Sequence, residues 1–476
     1  MLRLFYQKEC GSLIFSSLTF LFAYLPLTLT AYFLTPLRWR NLVLLLVSLF
    51  FYGWGEPVYI TIMLLSILID YTHGLLVEKY RSDGRKARWF VGQSVVFNLL
   101  LLGFFKYWDF LAANLSLIPG ISLPQLGVPL PIGISFFTFQ TMSYTIDVYR
   151  RDAPVQRSIV DFGAFVTMFP QLIAGPIVKY KTVAAELNCR VNTTEDFALG
   201  TRRFCVGLAK KVLLANSIGA LWDTQLAAAV AGELTAAGGW MGLFAYGFQI
   251  YFDFSGYSDM AIGLGQIFGF RFNENFDYPY LSASVTEFWR RWHMSLTSWF
   301  REYLYIPLGG NRDGTARTLR NILIVWFCTG FWHGASWNFI LWGLYFAFWL
   351  ILEKYTLRDT LRKTPGSIKH AYTVIVVFVG WGIFAMEDLR VCASYLGSCF
   401  GTSLLWSARD GYLLRSYAAT FLILILASTP AGKRLWARLP GAVDRVLTPV
   451  LMALSLIFCT AYLVDGSYNP FLYFRF

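Results

Sequence analysis

Apolar runs of roughly span length alternate with short basic clusters along the whole chain. They lie at 13–34, 41–78 and 89–149, then near 160–178, 204–230, 239–270, 321–350, 371–386, 390–406, 415–428 and 447–464. At about 20 residues per crossing this pattern predicts an all-α, polytopic integral membrane bundle of roughly ten to twelve transmembrane helices, with amphipathic and re-entrant segments. Gly53-Trp-Gly-Glu-Pro57 interrupts the second run and predicts an out-and-back pair. Residues 89–149 repeat the theme: an outward run to Phe105, a Pro/Gly/Ser loop around 116–131, and a return ending at Arg150-Arg151. Arg38 and Arg40, then Lys79, Arg81, Arg85, Lys86 and Arg88, mark cytoplasmic loops. That orientation leaves the N-terminus outside and puts the basic loops 355–370 and 433–445 in the cytoplasm. Without repeats, low-complexity tracts or long linkers, residues 1–476 read as one membrane domain.

One run stands apart. Between Arg320 and Glu353 there is no charged residue, and His333 sits in Thr329-Gly-Phe-Trp-His-Gly-Ala-Ser-Trp-Asn338. From Ile322 to Leu350 a continuous helix would be roughly 44 Å long, against roughly 30 Å of hydrocarbon. The segment must tilt, protrude or break, and Gly330 and Gly334 are the places to bend. An ionisable side chain in such a run faces a protein-lined or wet cavity. Two readings stand for His333: a hydrogen-bonding link between helices, or chemistry.

Composition agrees with a membrane setting. Of 476 residues, 56% are hydrophobic and 14% charged, well below the roughly 25% charged of soluble domains. The net charge of +12 resides in the loops, which is a positive-inside pattern and offers no basic face to nucleic acid. The seven cysteines show no metal-like or disulfide-like spacing. The first run, Leu13 to Leu34, is too long for a signal core and lacks a cleavage site, so it reads as a retained span of a bacterial inner-membrane, multi-pass protein.

Three further stretches carry chemistry. In Thr286 to Phe300 (TEFWRRWHMSLTSWF), a helix would place Trp289, His293, Leu296 and Phe300 on one stripe. Glu287 and Arg291 would pair four apart, with Arg290 turned away from the histidine. This predicts an amphipathic helix at the membrane face, anchored by aromatics, with His293 inward either as a core histidine or in the reaction. The turn-rich Arg301 to Arg312 offers arginines to a phosphate or headgroup, or is a plain loop. In Tyr251-Phe-Asp-Phe-Ser-Gly-Tyr-Ser-Asp259, the pairs Asp253/Tyr257 and Ser255/Asp259 would hold each acid by a hydroxyl, either lining a passage or linking helices. There is no GxxxxGK[ST], HExxH or GxSxG motif and no metal site. His73 reads as a boundary residue and His370 as a solvated one.

Several of these blocks, together with others, resemble the membrane-bound O-acyltransferase family, in particular its bacterial branch of alginate O-acetyltransferase and cellulose-acetylation membrane subunits. They are Pro131-Ile-Gly-Ile-Ser-Phe-Phe-Thr-Phe-Gln140, Phe169-Pro-Gln-Leu-Ile-Ala-Gly-Pro176, Tyr251 to Asp259, Phe288-Trp-Arg-Arg-Trp-His293, Tyr303-Leu-Tyr-Ile-Pro-Leu-Gly-Gly310, Trp332-His-Gly-Ala-Ser-Trp337 and Asn469-Pro-Phe-Leu-Tyr-Phe-Arg-Phe476. The resemblance spans nearly the whole chain in order, leaving residues 1–11 as an extension. It implies a bundle thinned in its middle, with a tunnel joining a cytoplasmic donor site to an outer funnel. It also implies catalytic roles for His333 and His293, with Asp253, Tyr257, Asp259, Trp332, Trp337 and Asn338 as substrate or tunnel candidates. Glu302 departs from the aspartate usual before Tyr-Leu-Tyr-Ile-Pro.

The expected chemistry moves an acetyl group from a cytoplasmic thioester, acetyl-CoA or a relative, to a polysaccharide hydroxyl or to a periplasmic acetyltransferase partner. A buried, neutral histidine can take the hydroxyl proton, and an activated thioester requires no bound cofactor or metal. The rivals are D-alanyl or other acyl transfer to an envelope polymer or lipid, and a transporter or flippase.

Overall fold

The computed structural model describes residues 13–466 and Leu472. The expected extension 1–11, and the 469–476 block apart from Leu472, lie outside the described residues. Among the described residues there are helices, turns and loops but no strand. In lipid a backbone must satisfy its own polar groups, and helices do so segment by segment. Six helices among the described residues are long and apolar enough to cross a membrane: Ile60–Lys79, Gly84–Leu115, Thr194–Val230, Gly366–Ala385, Ala408–Ala427 and Gly441–Asp465. Several of the other apolar runs are broken. Run 160–178 divides into Ile159–Thr167 and Phe169–Leu172, and run 390–406 yields only Leu389–Gly397 before a wide turn. The chain is an integral membrane protein.

Two compact units divide the chain: Met1–Phe204 with Tyr257–Asn273, and Cys205–Gly256 with Glu274–Phe476. In the first, the out-and-back pair is present as Arg40–Gly55 and Ile60–Lys79, broken at Glu56 as the Gly-Trp-Gly-Glu-Pro signal predicts. Ile134–Arg150 is buried almost all round. Its Thr145 and Thr141 meet Ser94 and Asn98, which hold the buried Asp70 carboxylate at 2.5 and 2.9 Å. His73, expected at a boundary, lies inside the helix Ile60–Lys79, and its Nδ1 is 2.7 Å from the Ile69 carbonyl one turn back.

The second unit is built from α1 (Ala236–Ile267, whose part to Gly256 belongs here), α2 (Val285–Arg291), α3 (Met294–Phe300), α4 (Thr315–His333), α5 (Trp337–Tyr355) and α6 (Gly366–Ala385). The long run 322–350 breaks into the α4–α5 hairpin, and the break falls at Gly334, where the backbone turns extended before α5 starts at Trp337. Gly330 does not bend the helix. It allows close approach instead: a Cβ there would strike the Phe339 carbonyl, and one at Gly343 the Trp326 carbonyl. Backbone cannot yield as a flexible side chain does, so Gly330→Ala is expected to cost about 1–3 kcal/mol. Gly92, with open space around it, serves as control. Thermal unfolding in detergent should fall for Gly330→Ala and stay level or rise for Gly92→Ala.

Candidate functional site

α4 ends at His333, and the hairpin turn delivers that side chain into a box of rings. Trp332, Trp342 and Phe384 lie 5.0, 5.1 and 5.2 Å from the imidazole, each steeply inclined to it. His333 is 9% exposed. Asn338, the second residue of α5, donates to the Phe384 carbonyl at 3.0 Å and so ties down the end of α6 that carries one wall of the box.

His293 is not on a helix. The amphipathic stripe predicted across Thr286–Phe300 is cut into α2 and α3, and His293 sits at the cut with left-handed backbone angles (φ 45°, ψ 52°). A non-glycine residue there is strained by roughly 1–3 kcal/mol. Asn275 offsets this: its Oδ1 accepts from the Ser295 N–H (3.1 Å) and hydroxyl (2.9 Å), and its carbonyl accepts from Met294 N (3.0 Å). The same Oδ1 lies 3.2 Å from His293 Nδ1. Because this oxygen accepts, Nδ1 carries the proton and Nε2 keeps a lone pair. Nε2 is buried with no hydrogen-bond partner among the described residues. Burial pushes the His293 pKa down to about 3, so the ring is neutral at physiological pH.

That depression has a sign. Below its ordinary 6.5 the unfolded chain takes a proton that the folded chain refuses until about pH 3. Stability linked to His293 is therefore present above pH 6.5 and is lost as pH falls toward 3. The melting temperature should decline less steeply between pH 6.5 and 4 in His293→Gln than in the wild type.

The interfacial anchors expected in this stretch are core residues instead. Trp289 packs 4.8 Å from both Trp326 and Phe346, and Trp292 lies 4.7 Å from Trp381. The driving force is burial among rings of the second unit, which outweighs the interface preference of tryptophan. Glu287 and Arg291 do pair, at 2.9 Å.

Both histidines line one cavity of about 870 Å³ in the second unit. Along α4 its lining follows Ile322, Val325, Trp326, Thr329 and His333, one helical stripe. Six cations share the lining: Arg290, Arg301, Lys354, Arg358, Arg362 and Lys369. Arg290, expected to turn away from the histidine, is exposed and contributes to the same lining. Lys354 lies 17 residues beyond Trp337 on α5, roughly 26 Å along the axis from the His333 turn. Arg290 and Arg301 are sequence neighbours of His293, whereas Lys354, Arg358, Arg362 and Lys369 make the end remote from the His333 turn basic. Glu353, 6% exposed, caps α2 from α5: its carboxylate accepts from Val285 N (2.6 Å), Thr286 N (2.8 Å) and the Thr286 hydroxyl (2.6 Å).

The remaining candidates separate. Asp253 lines the cavity, but its carboxylate meets Lys211 at 2.7 Å and the Leu472 N–H at 3.1 Å, not a hydroxyl four residues on. Tyr257 and Asp259 belong to the first unit, where Tyr257 stacks on Phe15 at 4.5 Å and Asp259 pairs with Arg203 at 2.9 Å. The intrahelical pairing expected for both acids gives way to longer-range cations, which compensate a buried carboxylate better than a neutral hydroxyl can. Trp332, Trp337 and Asn338 lie outside the lining; Trp332 bridges the histidines, 6.3 Å from His293, and Trp337 is half exposed. His370 is half-buried beside the Ser282 carbonyl (3.3 Å) rather than solvated. The clamp Asn275, the cap Glu353 and the buried Lys211 were missed. For Lys211 the signal existed: a cation inside an apolar run is a partner waiting to be found. The six cysteines among the described residues are free thiols.

Apolar helices around one cavity lined by two histidines form an arrangement suited to acyl transfer. Residues 135–396 match the sequence model of the membrane-bound O-acyltransferase family, and the chain belongs to that family. It is an O-acyltransferase. It is 39% identical to a "Probable alginate O-acetylase" of Pseudomonas putida, over 98% of this chain and 100% of that one. It is 43% identical to a protein of the same description from Pseudomonas aeruginosa, over 80% of this chain and 73% of the other. A "Peptidoglycan O-acetyltransferase" of Helicobacter pylori is 34% identical, over 82% and 80% respectively.

Proposed function

We propose that this enzyme moves an acetyl group from a cytoplasmic thioester, acetyl-CoA or a relative, across the bacterial inner membrane for O-acetylation of an alginate- or cellulose-like exopolysaccharide, directly or through a periplasmic acetyltransferase partner. The observation that carries the reading is the single cavity lined by both imidazoles and by six cations, four of which (Lys354, Arg358, Arg362 and Lys369) lie at the end remote from the His333 turn. A thioester donor with phosphates on its pantetheine arm matches that polarity: phosphates meet guanidinium and ammonium groups while the long arm reaches the aromatic end. The basic end lies on the segment 354–369, which the positive-inside rule assigns to the cytoplasm. Relatives named for alginate and peptidoglycan O-acetylation support a polysaccharide acceptor.

His333 is the general base. It takes the acceptor hydroxyl proton as the oxygen attacks the thioester carbonyl, and returns that proton to the leaving sulfur. Its ring box excludes water that would otherwise hydrolyse the donor. His293, neutral with an open Nε2, positions the donor or acceptor beside it. The reading is tested by deleting the gene, complementing with the wild type, and identifying the acid released by alkali from the secreted polysaccharide. Acetate restored by complementation supports it. D-alanine in its place, or polysaccharide acetate that does not depend on the protein, overturns it.

A further inference from the structure

Asp253 and Lys211 form an ion pair inside the second unit, each 2% exposed, at 2.7 Å. Lys211 stands on a widened turn, Lys210–Ala215, and also donates to Asn216 Oδ1 at 3.0 Å. A pair so deeply buried is tolerated only when its remaining lone pairs are met. One is met by a main-chain group far along the chain: the Leu472 N–H donates to Asp253 Oδ2 at 3.1 Å. The Leu472 side chain is 3% exposed, joins the aromatic core and lines the histidine cavity. Phe254, next to Asp253, has its ring 4.7 Å from that of His293. Leu472 therefore enters the lining at the imidazole end, where the acyl group must lie, and not at the basic end.

We propose that Leu472 is the acyl-size gauge of this enzyme. Asp253 and Lys211 hold its main chain, and its side chain fills the space into which an acyl group longer than acetyl would extend. Asp253 is a positioning residue in this scheme. The inference rests on the acetyl-transfer reading above. Leu472→Val and Leu472→Ala progressively empty that space, since surrounding rings close over a truncated side chain only in part. Asp253→Asn keeps the shape and removes the charge that opposes Lys211.

The test uses cells lacking the protein, complemented with full-length wild type, L472V, L472A or D253N, and grown with added propionate or butyrate. Ester-bound acids are released from the secreted polysaccharide and quantified, with protein amount in the membrane measured in parallel. The wild type is expected to install acetate alone. The propionyl-to-acetyl ratio should rise at least tenfold in L472V and L472A, with butyryl esters in L472A. D253N should show lower total ester and a broadened acyl range. Wild-type acetate from L472A without longer esters overturns the gauge. If L472A does not accumulate, an unchanged ratio in L472V does so. Absence of acetate even with the wild type removes the acetyl-transfer reading, and the gauge with it.

Discussion

His333→Ala is expected to reduce ester-bound acetate to the level of cells lacking the protein, with the variant still reaching the membrane in wild-type amount. A positioned base contributes about 10²–10⁴-fold to a rate, and nothing else on the His333 stripe of α4 can replace it. Val325, Trp326 and Ile322 accept no proton, and Thr329 is no base at neutral pH. His293 is held at a different place by Asn275, so it offers no direct substitute. The fold should survive, because α4 and α5 are locked by backbone contact at Gly330 and Gly343, which the substitution leaves alone. Acetylation within twofold of wild type from folded His333→Ala protein would remove the proposed base. His293→Ala is expected to weaken turnover without abolishing it.

The second large effect concerns the basic end. Arg358→Ala, Arg362→Ala and Lys369→Ala combined should raise the KM for the thioester donor about ten- to a hundredfold and leave kcat within a fewfold. Charge-assisted bonds to phosphate bind ground state and transition state alike, and loss of such uniform binding appears in KM. Added salt should weaken the wild type in the same direction, because these side chains sit near solvent and are screened over about 10 Å. A drop in kcat with KM unchanged would show that these cations serve the fold or the chemical step and do not hold the donor.

The hairpin illustrates how far the chain could be read in advance. A charge-free stretch too long for the bilayer had to do something irregular, and Gly334 was one of two candidates for the break. Gly330 was the other, and only the structure distinguishes a glycine that bends from one that admits a neighbour's carbonyl. The His293 stretch shows the converse. Its helical spacing placed the right residues toward a cavity, yet the backbone is broken at the histidine itself. That break depends on Asn275, 18 residues earlier, whose amide clamps the strained turn.

From the sequence alone came the membrane class, the helical architecture, the reverse turn at Gly53–Pro57 and the two histidines, because each depends on local composition or on a short motif. The tertiary structure alone decided which of these residues share a space. It assigned Asp253 to Lys211 and Leu472, split Asp253 from Asp259 and brought six cations to the lining of the histidine cavity. The physical reason is that a buried charge is satisfied by whichever partner the packing brings near, often hundreds of residues away. Helical periodicity constrains only neighbours three or four positions along.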